Sequence, residues 1–209
     1  MNILIADDHT IVREGIKLLL VETYPSAFIM DVANAESVLF ELDKKEWDVI
    51  ICDISMPPGD SGLDALKKIR KLKPKIPVII LSMHSPSQYA LRVMRAGAMG
   101  YLTKANATQD LIKAVDLVIS GKKYLSPDVT NLLAESVCNR EVMASVGDLS
   151  DREFEVFKLL ASGKHISEIA RELHLSNHVV NAQRIRIFEK LGLQNNVELI
   201  KYALEQKVL

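Results

Sequence analysis

Short apolar runs that each end at a polar residue constrain the fold of this chain more than any other feature. The runs are 2–6, 49–52, 78–81 and 100–103, and the polar residues at their ends are Asp7 and Asp8, Asp53, Ser82 and Lys104. Continuous apolar segments of about four to six residues that alternate with helical patterns are typical of parallel strands buried on both faces. Because ligands bind beyond the carboxyl ends of such strands, these polar side chains are expected to converge on one spot.

The first 121 residues alternate strand and helix patterns five times. Strands are predicted at 2–6, 27–32, 49–53, 78–81 and 100–102, and helices near 10–22, 35–45, 62–72, 87–96 and 107–120. A βα repeat of this kind predicts a doubly wound, five-stranded parallel sheet with helices on both faces and right-handed crossovers.

The rest of the chain predicts helices only. A linker helix is predicted over 128–143, followed by a flexible stretch over 144–148. Ser150 and Glu153 form a capping box with Leu149 as its hydrophobic staple, and Gly163 ends that helix. The remaining predicted elements are a short helix over 166–173, a turn at 174–175, a third helix from its N-cap Ser176 to Leu191 before Gly192, and a fourth helix over 197–206. A tight turn between the second and third helices is typical of a small all-α helix-turn-helix domain.

Bulk properties exclude several classes of protein. The net charge of −1 gives no global signal for nucleic acid or membrane, and no apolar stretch approaches the roughly 18 residues that span a bilayer. The N-terminus lacks the basic region and apolar core of a secretory signal, so we expect a cytoplasmic protein with no membrane partner. Cys52 and Cys138 are far apart in sequence and are expected to be reduced thiols.

The residues at the strand ends predict a specific chemistry. Asp7, Asp8 and Asp53 offer hard oxygen ligands to Mg²⁺ (or Mn²⁺), which would relieve the repulsion among the three carboxylates. Asp53 could then attack a phosphoryl group, with Lys104 neutralising one phosphate oxygen and Ser82 bonding another. Polar residues also collect at strand ends because turns begin there, but five of them at four strand ends are hard to explain in that way.

These residues carry a resemblance to a known family. The first 121 positions resemble the receiver domain of two-component response regulators, a flavodoxin-like fold. The matching segments are 6–9 (Ala-Asp-Asp-His), 53–57 (Asp-Ile-Ser-Met-Pro), 81–82 (Leu-Ser), 97–102 (Gly-Ala-Met-Gly-Tyr-Leu) and Lys104. The resemblance implies that Asp53 is the phosphoacceptor and that Asp8, Asp53 and the main-chain carbonyl of Ser55 bind the metal, with Asp7 acting through water. It also implies that Ser82 and Tyr101 form a switch pair, in which the hydroxyl moves toward the phosphate and the ring follows inward.

One departure from the receiver pattern lies beside the phosphoacceptor. The family commonly places a turn glycine four residues after the Met-Pro pair, whereas here Gly62 lies five residues after Pro57. This spacing indicates a single-residue insertion in the 57–62 loop, which we expect to alter loop geometry and dephosphorylation rate while leaving the acidic residues unchanged.

Residues 149–209 resemble the LuxR-type helix-turn-helix, so the whole chain resembles the NarL/FixJ class of response regulators. The matching segments are 149–153, Val156, 160–163, 168–170, 175–176, Val180 and 189–193. The resemblance implies phosphorylation by a sensor histidine kinase, binding to double-stranded DNA at a two-fold related site, and a homodimer at least in the phosphorylated state.

The third helix of this domain is the predicted recognition helix. His178, Asn181, Ala182 and Ile185 are expected to face base edges, because Asn pairs with adenine and apolar side chains contact the thymine methyl group. Arg184, Arg186 and Lys190 are suited to phosphates. The family's opening Thr-Val-Lys-x-His is here Val-Val-Asn-Ala-Gln over 179–183, and the domain has nine Lys and Arg against eight Asp and Glu, a net charge of only +1.

Two other functions compete with a phosphorylation-gated DNA-binding regulator. An aspartate-nucleophile phosphatase normally has a second acid two residues after its nucleophile, and position 55 is Ser, so an enzyme with an independent substrate is disfavoured. The recognition helix lacks the Lys and His of the family pattern, so a regulator that acts mainly through protein partners or a second regulator remains an alternative. The last helix offers Val197, Leu199, Ile200, Ala203 and Leu204 either to a dimer interface, together with receiver helices, or to packing within its own domain.

Overall fold

A computed structural model describes residues 1–56, 61–138, 146–206 and 208. These residues divide into two compact units, of which the first comprises 1–86 and 90–130 and the second contains 131–209. Across the described ranges, none of the helices is sufficiently long and apolar to cross a bilayer.

The first unit is built on a five-stranded parallel sheet with the strand order β2-β1-β3-β4-β5. Its strands are β1 (Asn2–Ala6), β2 (Phe28–Val32), β3 (Val49–Asp53), β4 (Val78–Ser82) and β5 (Gly100–Thr103). Its helices are α1 (Thr10–Thr23), α2 (Ala35–Leu42), α3 (Gly62–Leu72), α4 (Pro86–Arg95) and α5 (Ala107–Ile119). The predicted flavodoxin-like, doubly wound sheet is therefore confirmed.

The second helix is shorter than predicted. Helix α2 ends at Leu42 rather than near residue 45, because a turn follows in which the Lys44 amide donates to the Glu41 carbonyl. The indole Nε1 of Trp47 donates to the same carbonyl at 3.0 Å. A terminal carbonyl of the helix is thereby satisfied without another helical turn.

The core explains the continuous apolar runs of the sequence. Every residue of β3 and β4 is buried, as expected for central strands covered by helices on both faces. On one face, Ile5, Ile51 and Ile79 pack with Leu20 of α1 and Leu111 of α5. The register pairs Ile5 with Ile51 and Ile51 with Ile79, so aliphatic rows run straight across the sheet. Cys52 is a buried free thiol in this sheet, and the side chain of Cys138 lies outside the described residues.

The remaining elements are helical. They are α6 (Pro127–Cys138), one 3₁₀ turn (Val146–Asp148), α7 (Asp151–Ala161), α8 (Ile166–Glu172), α9 (Asn177–Leu191) and α10 (Asn196–Glu205). The linker helix begins one residue before its predicted start, and the rest of its predicted range, 139–143, lies outside the described residues. Of the stretch predicted to be flexible, residues 146–148 form the 3₁₀ turn and 144–145 are not described.

Caps fix the helix boundaries of the second unit. The Ser150 hydroxyl accepts from the Glu153 amide, and Glu153 Oε2 accepts from the Ser150 amide at 2.6 Å, which confirms the predicted capping box. Ser176 caps α9 as predicted, and Gly192 ends it in the left-handed conformation with φ of 66°. His174 occupies the turn between α8 and α9 with φ of 52°, a conformation that residues other than glycine rarely adopt.

The last helix packs inside its own unit. Leu199 and Ala203 of α10 are fully buried, and Tyr202 lies edge-on to the ring of Phe157. Val197 and Leu204 are exposed. Five apolar residues of this helix were expected either at a dimer interface or in the core of their own domain. Leu199 and Ala203 belong to that core, and Val197 and Leu204 remain on the surface.

Candidate phosphorylation site and candidate DNA interface

The five predicted polar residues do meet at the carboxyl edge of the parallel sheet. Asp53 is the last residue of β3 and Ser82 the last of β4, while Asp7 and Asp8 follow β1 and Lys104 follows β5. Strand β1 lies between β2 and β3, so the order of the strands reverses here, and such a switch point forms a crevice at the strand ends. Topology alone therefore brings together residues from four separate parts of the chain.

The centre of this site is an ion cluster. The Lys104 ammonium lies 2.7 Å from Asp7 Oδ2 and 2.8 Å from Asp53 Oδ2. Ligand atoms of Asp7, Asp8, His9 and Asp53 all lie within 4.8 Å of one another. The Asp7 side chain is completely buried, and that of Asp53 is 3% exposed. One ammonium thus contacts two buried carboxylates, while Asp8 is 26% exposed at the edge of the cluster.

Burial and charge shift the ionisation of this cluster. Burial raises the pKa of Asp53 above its usual range, and the charge of Asp7 adds to this effect, although hydrogen bonds from Lys104 and the Ser55 amide oppose it. Burial alone would lower the pKa of Lys104, but its hydrogen bonds to Asp53 and Asp7 hold that pKa above its ordinary value. The lysine therefore stays charged and offsets part of the repulsion between the two carboxylates.

The donor set fits a divalent cation. Asp7, Asp8 and Asp53 present hard oxygen atoms, which Mg²⁺ and Mn²⁺ prefer, and the cluster carries an excess of negative charge. His9 also belongs to the cluster, because its Nδ1 lies 2.8 Å from Asp8 Oδ1 and its amide donates to Asp7 Oδ1. His9 lies between β1 and α1, directly after Asp8, so its place beside the acidic residues follows from the sequence.

The predicted switch residues contact one loop. Ser82 is fully buried, and its hydroxyl accepts from the His84 amide at 3.0 Å. The Tyr101 hydroxyl donates to the His84 carbonyl at 2.8 Å, and its ring is 1% exposed. The ring therefore already lies inward, whereas the resemblance to receiver domains implies that it moves inward after the hydroxyl. The backbone of His84 therefore contacts both side chains of the predicted pair.

Gly62, the first residue of α3, packs against the backbone that carries the phosphoacceptor. Its amide donates to the Ile54 carbonyl at 3.0 Å, and a Cβ atom at this position would overlap the Asp53 carbonyl oxygen. Ser61 and Asp64 fix the start of α3 by a capping box. The spacing of Gly62 from Pro57 indicates the insertion but does not reveal this close approach. The inserted loop itself, residues 57–60, lies outside the described residues, so its predicted effect on dephosphorylation stays a prediction.

Helix α9 buries one side and exposes the predicted base-reading side. Val180 and Ile187 are fully buried, whereas His178 and Asn181 are exposed and the Ile185 side chain is 48% exposed. Ala182 is half-buried. The predicted base-facing residues therefore share the outer side of the helix.

The predicted phosphate contacts are less uniform. Lys190 Nζ forms an ion pair with Glu153 Oε2 at 2.7 Å, so this lysine supports the capping box of α7. Arg184 Nε donates to Asn196 Oδ1 at 3.2 Å, and its guanidinium lies 4.6 Å from the ring centre of Phe188. Arg186 is exposed. The spacing along α9 predicts three cations that all contact phosphates. In the structure Lys190 bonds to Glu153 of α7 and Arg184 bonds to Asn196 of α10, whereas Arg186 is exposed.

Comparison with known proteins identifies the family of each unit. Residues 3–116 match the response regulator receiver domain, and residues 148–203 match the luxR family of bacterial regulatory proteins. The oxygen regulatory protein NreC of Staphylococcus carnosus is 36% identical over 215 residues, which cover 100% of this chain and 99% of NreC. The response regulator UvrY of Escherichia coli K12 is 33% identical over 205 residues, covering 98% of this chain and 94% of UvrY.

Solved structures of RcsB resemble this chain over nearly its whole length. RcsB from Salmonella enterica serovar Typhimurium, bound to the promoter rprA in the presence of the phosphomimetic BeF₃⁻, has a TM-score of 0.67 and 29% identity, covering 97% of this chain and 98% of the RcsB chain. A second RcsB–DNA complex has a TM-score of 0.62 and 30% identity, covering 99% of this chain and 98% of that chain. The chain therefore belongs to the NarL/FixJ class of two-component response regulators, in which a receiver domain precedes a LuxR-type helix-turn-helix DNA-binding domain.

Proposed function

We propose that this chain is a transcription regulator whose binding to double-stranded DNA is gated by phosphorylation of Asp53. The observation that best supports this proposal is the Lys104 ammonium between the carboxylates of Asp7 and Asp53, at 2.7 and 2.8 Å. The proposed domains are a receiver over 1–121, a partly helical linker over 122–148 and a DNA-binding domain over 149–209. Phosphorylation by a sensor histidine kinase makes the cytoplasm the proposed location.

The chemical step is phosphoryl transfer to Asp53. A carboxylate oxygen of Asp53 attacks the phosphorus of a kinase phosphohistidine and forms an aspartyl phosphate. The P–N bond breaks, and its electron pair remains on the imidazole of the kinase. Small phosphodonors can substitute, since the reacting residues belong to the receiver. Lys104 lies within hydrogen-bond distance of the reacting carboxylate and neutralises a phosphate oxygen. The chain therefore assists its own modification and has no independent substrate.

A divalent cation, Mg²⁺ or Mn²⁺, completes this site. Asp7, Asp8, Asp53 and the main-chain carbonyl of Ser55 are the residues that would hold it, Asp7 through water. When bound, the cation offsets the negative charge of the incoming phosphoryl group. The cluster of oxygen ligands within 4.8 Å of one another supports this assignment.

The gating step starts at Ser82. When Asp53 is phosphorylated, the Ser82 hydroxyl donates a hydrogen bond to a phosphate oxygen. This movement alters the hydrogen bond that Ser82 accepts from the His84 amide. The Tyr101 hydroxyl, which is bonded to the His84 carbonyl, responds to any movement of that loop. The phosphorylated receiver then favours a homodimer that presents two α9 helices to a two-fold related DNA site, a population shift caused by local charge. RcsB bound to a promoter together with BeF₃⁻ supports this mechanism by analogy.

Selection from a random pool of duplex DNA, with and without BeF₃⁻ and Mg²⁺, tests the proposal. We expect a two-fold repeat that is enriched more strongly in the presence of the mimic. Asp53→Asn should abolish phosphate incorporation and the effect of the mimic, while the matched control Asp43→Asn, whose side chain is 84% exposed, should behave like the wild type. Equal enrichment in both states would contradict the gate, and phosphate incorporation into the Asp53→Asn variant would exclude Asp53 as acceptor.

A second candidate function has a specific observation in its favour. Lys190 and Arg184 bond to Glu153 and Asn196 of the same domain, which lowers the positive charge offered to phosphates. A C-terminal domain of this kind suits a regulator that acts mainly with protein partners or a second regulator. Salt dependence separates the two functions, because direct phosphate contacts make the affinity for DNA fall steeply as salt is raised.

A further inference from the structure

The outer side of α9 has a chemistry that bears on which bases it reads. His178, Ala182 and Ile185 recur at spacings of four and three residues, so they form one stripe on the helix, and Asn181 lies at its edge. Asn181 is exposed, and Ile185 is 48% exposed. Gln183 does not belong to this stripe, because it is half-buried and its Oε1 is inaccessible to solvent.

This stripe lacks the side chains that select guanine. The commonest specific contact to guanine is a bidentate Arg or Lys on O6 and N7. Residues 177–183 contain neither Lys nor Arg, and the first arginine of the helix, Arg184, donates to Asn196 of α10 and stacks on Phe188. Arg184 is therefore directed toward its own domain. His178 offers one donor and one acceptor when neutral and distinguishes the purines weakly.

The groups that remain exposed match A·T pairs. A primary amide such as that of Asn181 pairs bidentately with adenine N6 and N7. Apolar side chains such as Ile185 and Ala182 gain by covering the C5-methyl group of thymine, which the other bases of DNA do not have. The exposed amide of Asn181, the exposed Ile185 and the half-buried Ala182 therefore suit adjacent A·T pairs better than any pair that contains guanine.

We infer that α9 reads A·T base pairs within each DNA half-site, with the Asn181 amide on an adenine and the Ile185 and Ala182 methyl groups on thymine. This inference rests on the proposed function, because it presumes that α9 enters the major groove. Arg186, exposed beside the stripe, contributes a phosphate contact that carries no sequence preference.

The test starts from the duplex selected by the full-length protein with BeF₃⁻ and Mg²⁺. Replacing single thymines by uracil removes only the methyl group, and at a contacted position the affinity should fall about fourfold. Ile185→Ala should abolish this sensitivity at one position per half-site. Asn181→Ala should reduce the preference for A·T over G·C at a neighbouring position by about fivefold to a hundredfold, and Asn181→Arg should shift it toward G·C.

Controls separate reading from folding and from general affinity. Asn131→Ala, at an exposed position of α6, should leave affinity and base preference unchanged. Arg186→Ala should weaken binding equally for all sequences and reduce the salt slope by about one unit. Circular dichroism of each variant checks the helices, and the exposed positions of Asn181 and Ile185 predict no change.

The outcomes are distinct. Half-sites that contain A·T pairs whose uracil sensitivity depends on Ile185 support the inference. Half-sites in which Asn181→Ala and Ile185→Ala change the preference at G·C pairs only, or uracil substitutions without effect at every thymine, overturn it and leave the proposed DNA binding intact. No enriched sequence under either condition overturns both.

Discussion

Replacing Gly62 by alanine should damage both the stability of the receiver and its phosphorylation. The new Cβ atom would overlap the Asp53 carbonyl oxygen and lie 2.8 Å from the Asp53 carbonyl carbon and the Ile54 Cα. All three are backbone atoms of the strand end that carries the phosphoacceptor, so no side chain can rotate away. Relief requires the start of α3 to move away from β3 by about an ångström or more.

The structure indicates how much this movement costs. Overpacking of a well-filled core costs about 1–3 kcal/mol. Straining the hydrogen bond from the Gly62 amide to the Ile54 carbonyl costs up to about 1 kcal/mol more. Leu63, Leu66 and Ile69 are buried on the same helix and would shift with it. We therefore expect a loss of about 2–4 kcal/mol in the free energy of unfolding.

Urea denaturation followed by the fluorescence of Trp47 measures this loss. Trp47 is the chain's single tryptophan, is 4% exposed and lies in the first unit, so its emission reports on the receiver. With a slope of about 1–3 kcal/mol/M, the urea midpoint should fall by about 1 M or more. A displaced Asp53 should also accept phosphate from a small phosphodonor at least about tenfold more slowly, because misplacement of a reacting group by about 1 Å is costly.

Gly15→Ala is the matched control. Gly15 lies in the exposed face of α1, and no described atom is within 4 Å of a Cβ added there, so alanine should raise stability by about 0.5–1 kcal/mol through helix propensity. If Gly62→Ala unfolds at the same urea concentration as the wild type and is phosphorylated at the same rate, α3 does not approach the Asp53 backbone as closely as described.

Substitutions at three further positions test other parts of the structure. Burial alone raises the pKa of Glu153, but its bonds to Lys190 and Ser150 hold it below 4.5, so its stabilisation is present above that value and is lost as the pH falls through the folded pKa. Hydrogen exchange of α7 amides should therefore show Glu153→Gln destabilised by about 1 kcal/mol at neutral pH, and this difference should shrink as the pH falls below 4.5; an equal loss at neutral and at acidic pH would contradict the charge effect. His174→Gly should raise thermal stability by up to about 1 kcal/mol and His174→Val should lower it, because φ is 52° there; a more stable valine variant would refute this. Tyr101→Phe should accept phosphate normally but show a smaller increase in DNA affinity with BeF₃⁻, because the bond to the His84 carbonyl is lost; an undiminished increase would remove Tyr101 from the gate.

Sequence reasoning predicted the sheet and the convergence of the acidic residues because both follow from periodicity and one topological rule. Apolar runs indicated where the strands lie, and parallel strands place their carboxyl ends at one edge. Asp7, Asp53 and Lys104 could therefore be assigned to one site although they are far apart in sequence. Helix ends were also predictable wherever a local cap determines them, as at Ser150 and Gly192.

The contacts that sequence reasoning missed are those between side chains of different elements. Lys190 and Glu153 are 37 residues apart, and nothing in the pattern of α9 distinguishes this lysine from a phosphate contact. Arg184 likewise bonds to Asn196, the first residue of α10, and the pattern of α9 does not indicate this partner. Periodicity shows which face of a helix is buried, but the partner of an amphipathic cation depends on the distance between two helices after packing.

The buried carboxylates of the receiver site lower the stability of the folded protein and also give the site its reactivity. Burying several carboxylates together is unfavourable, and the raised pKa of Asp53 means that this contribution to stability worsens as the pH rises above 3.8 and the carboxyl ionises. Lys104 reduces that cost because one ammonium contacts both Asp7 and Asp53. A bound divalent cation would reduce it further, and it would stabilise the fold only to the extent that it binds the folded site. The same excess of negative charge that penalises folding therefore provides the affinity for the cation, and the desolvated Asp53 carboxylate remains available as the nucleophile.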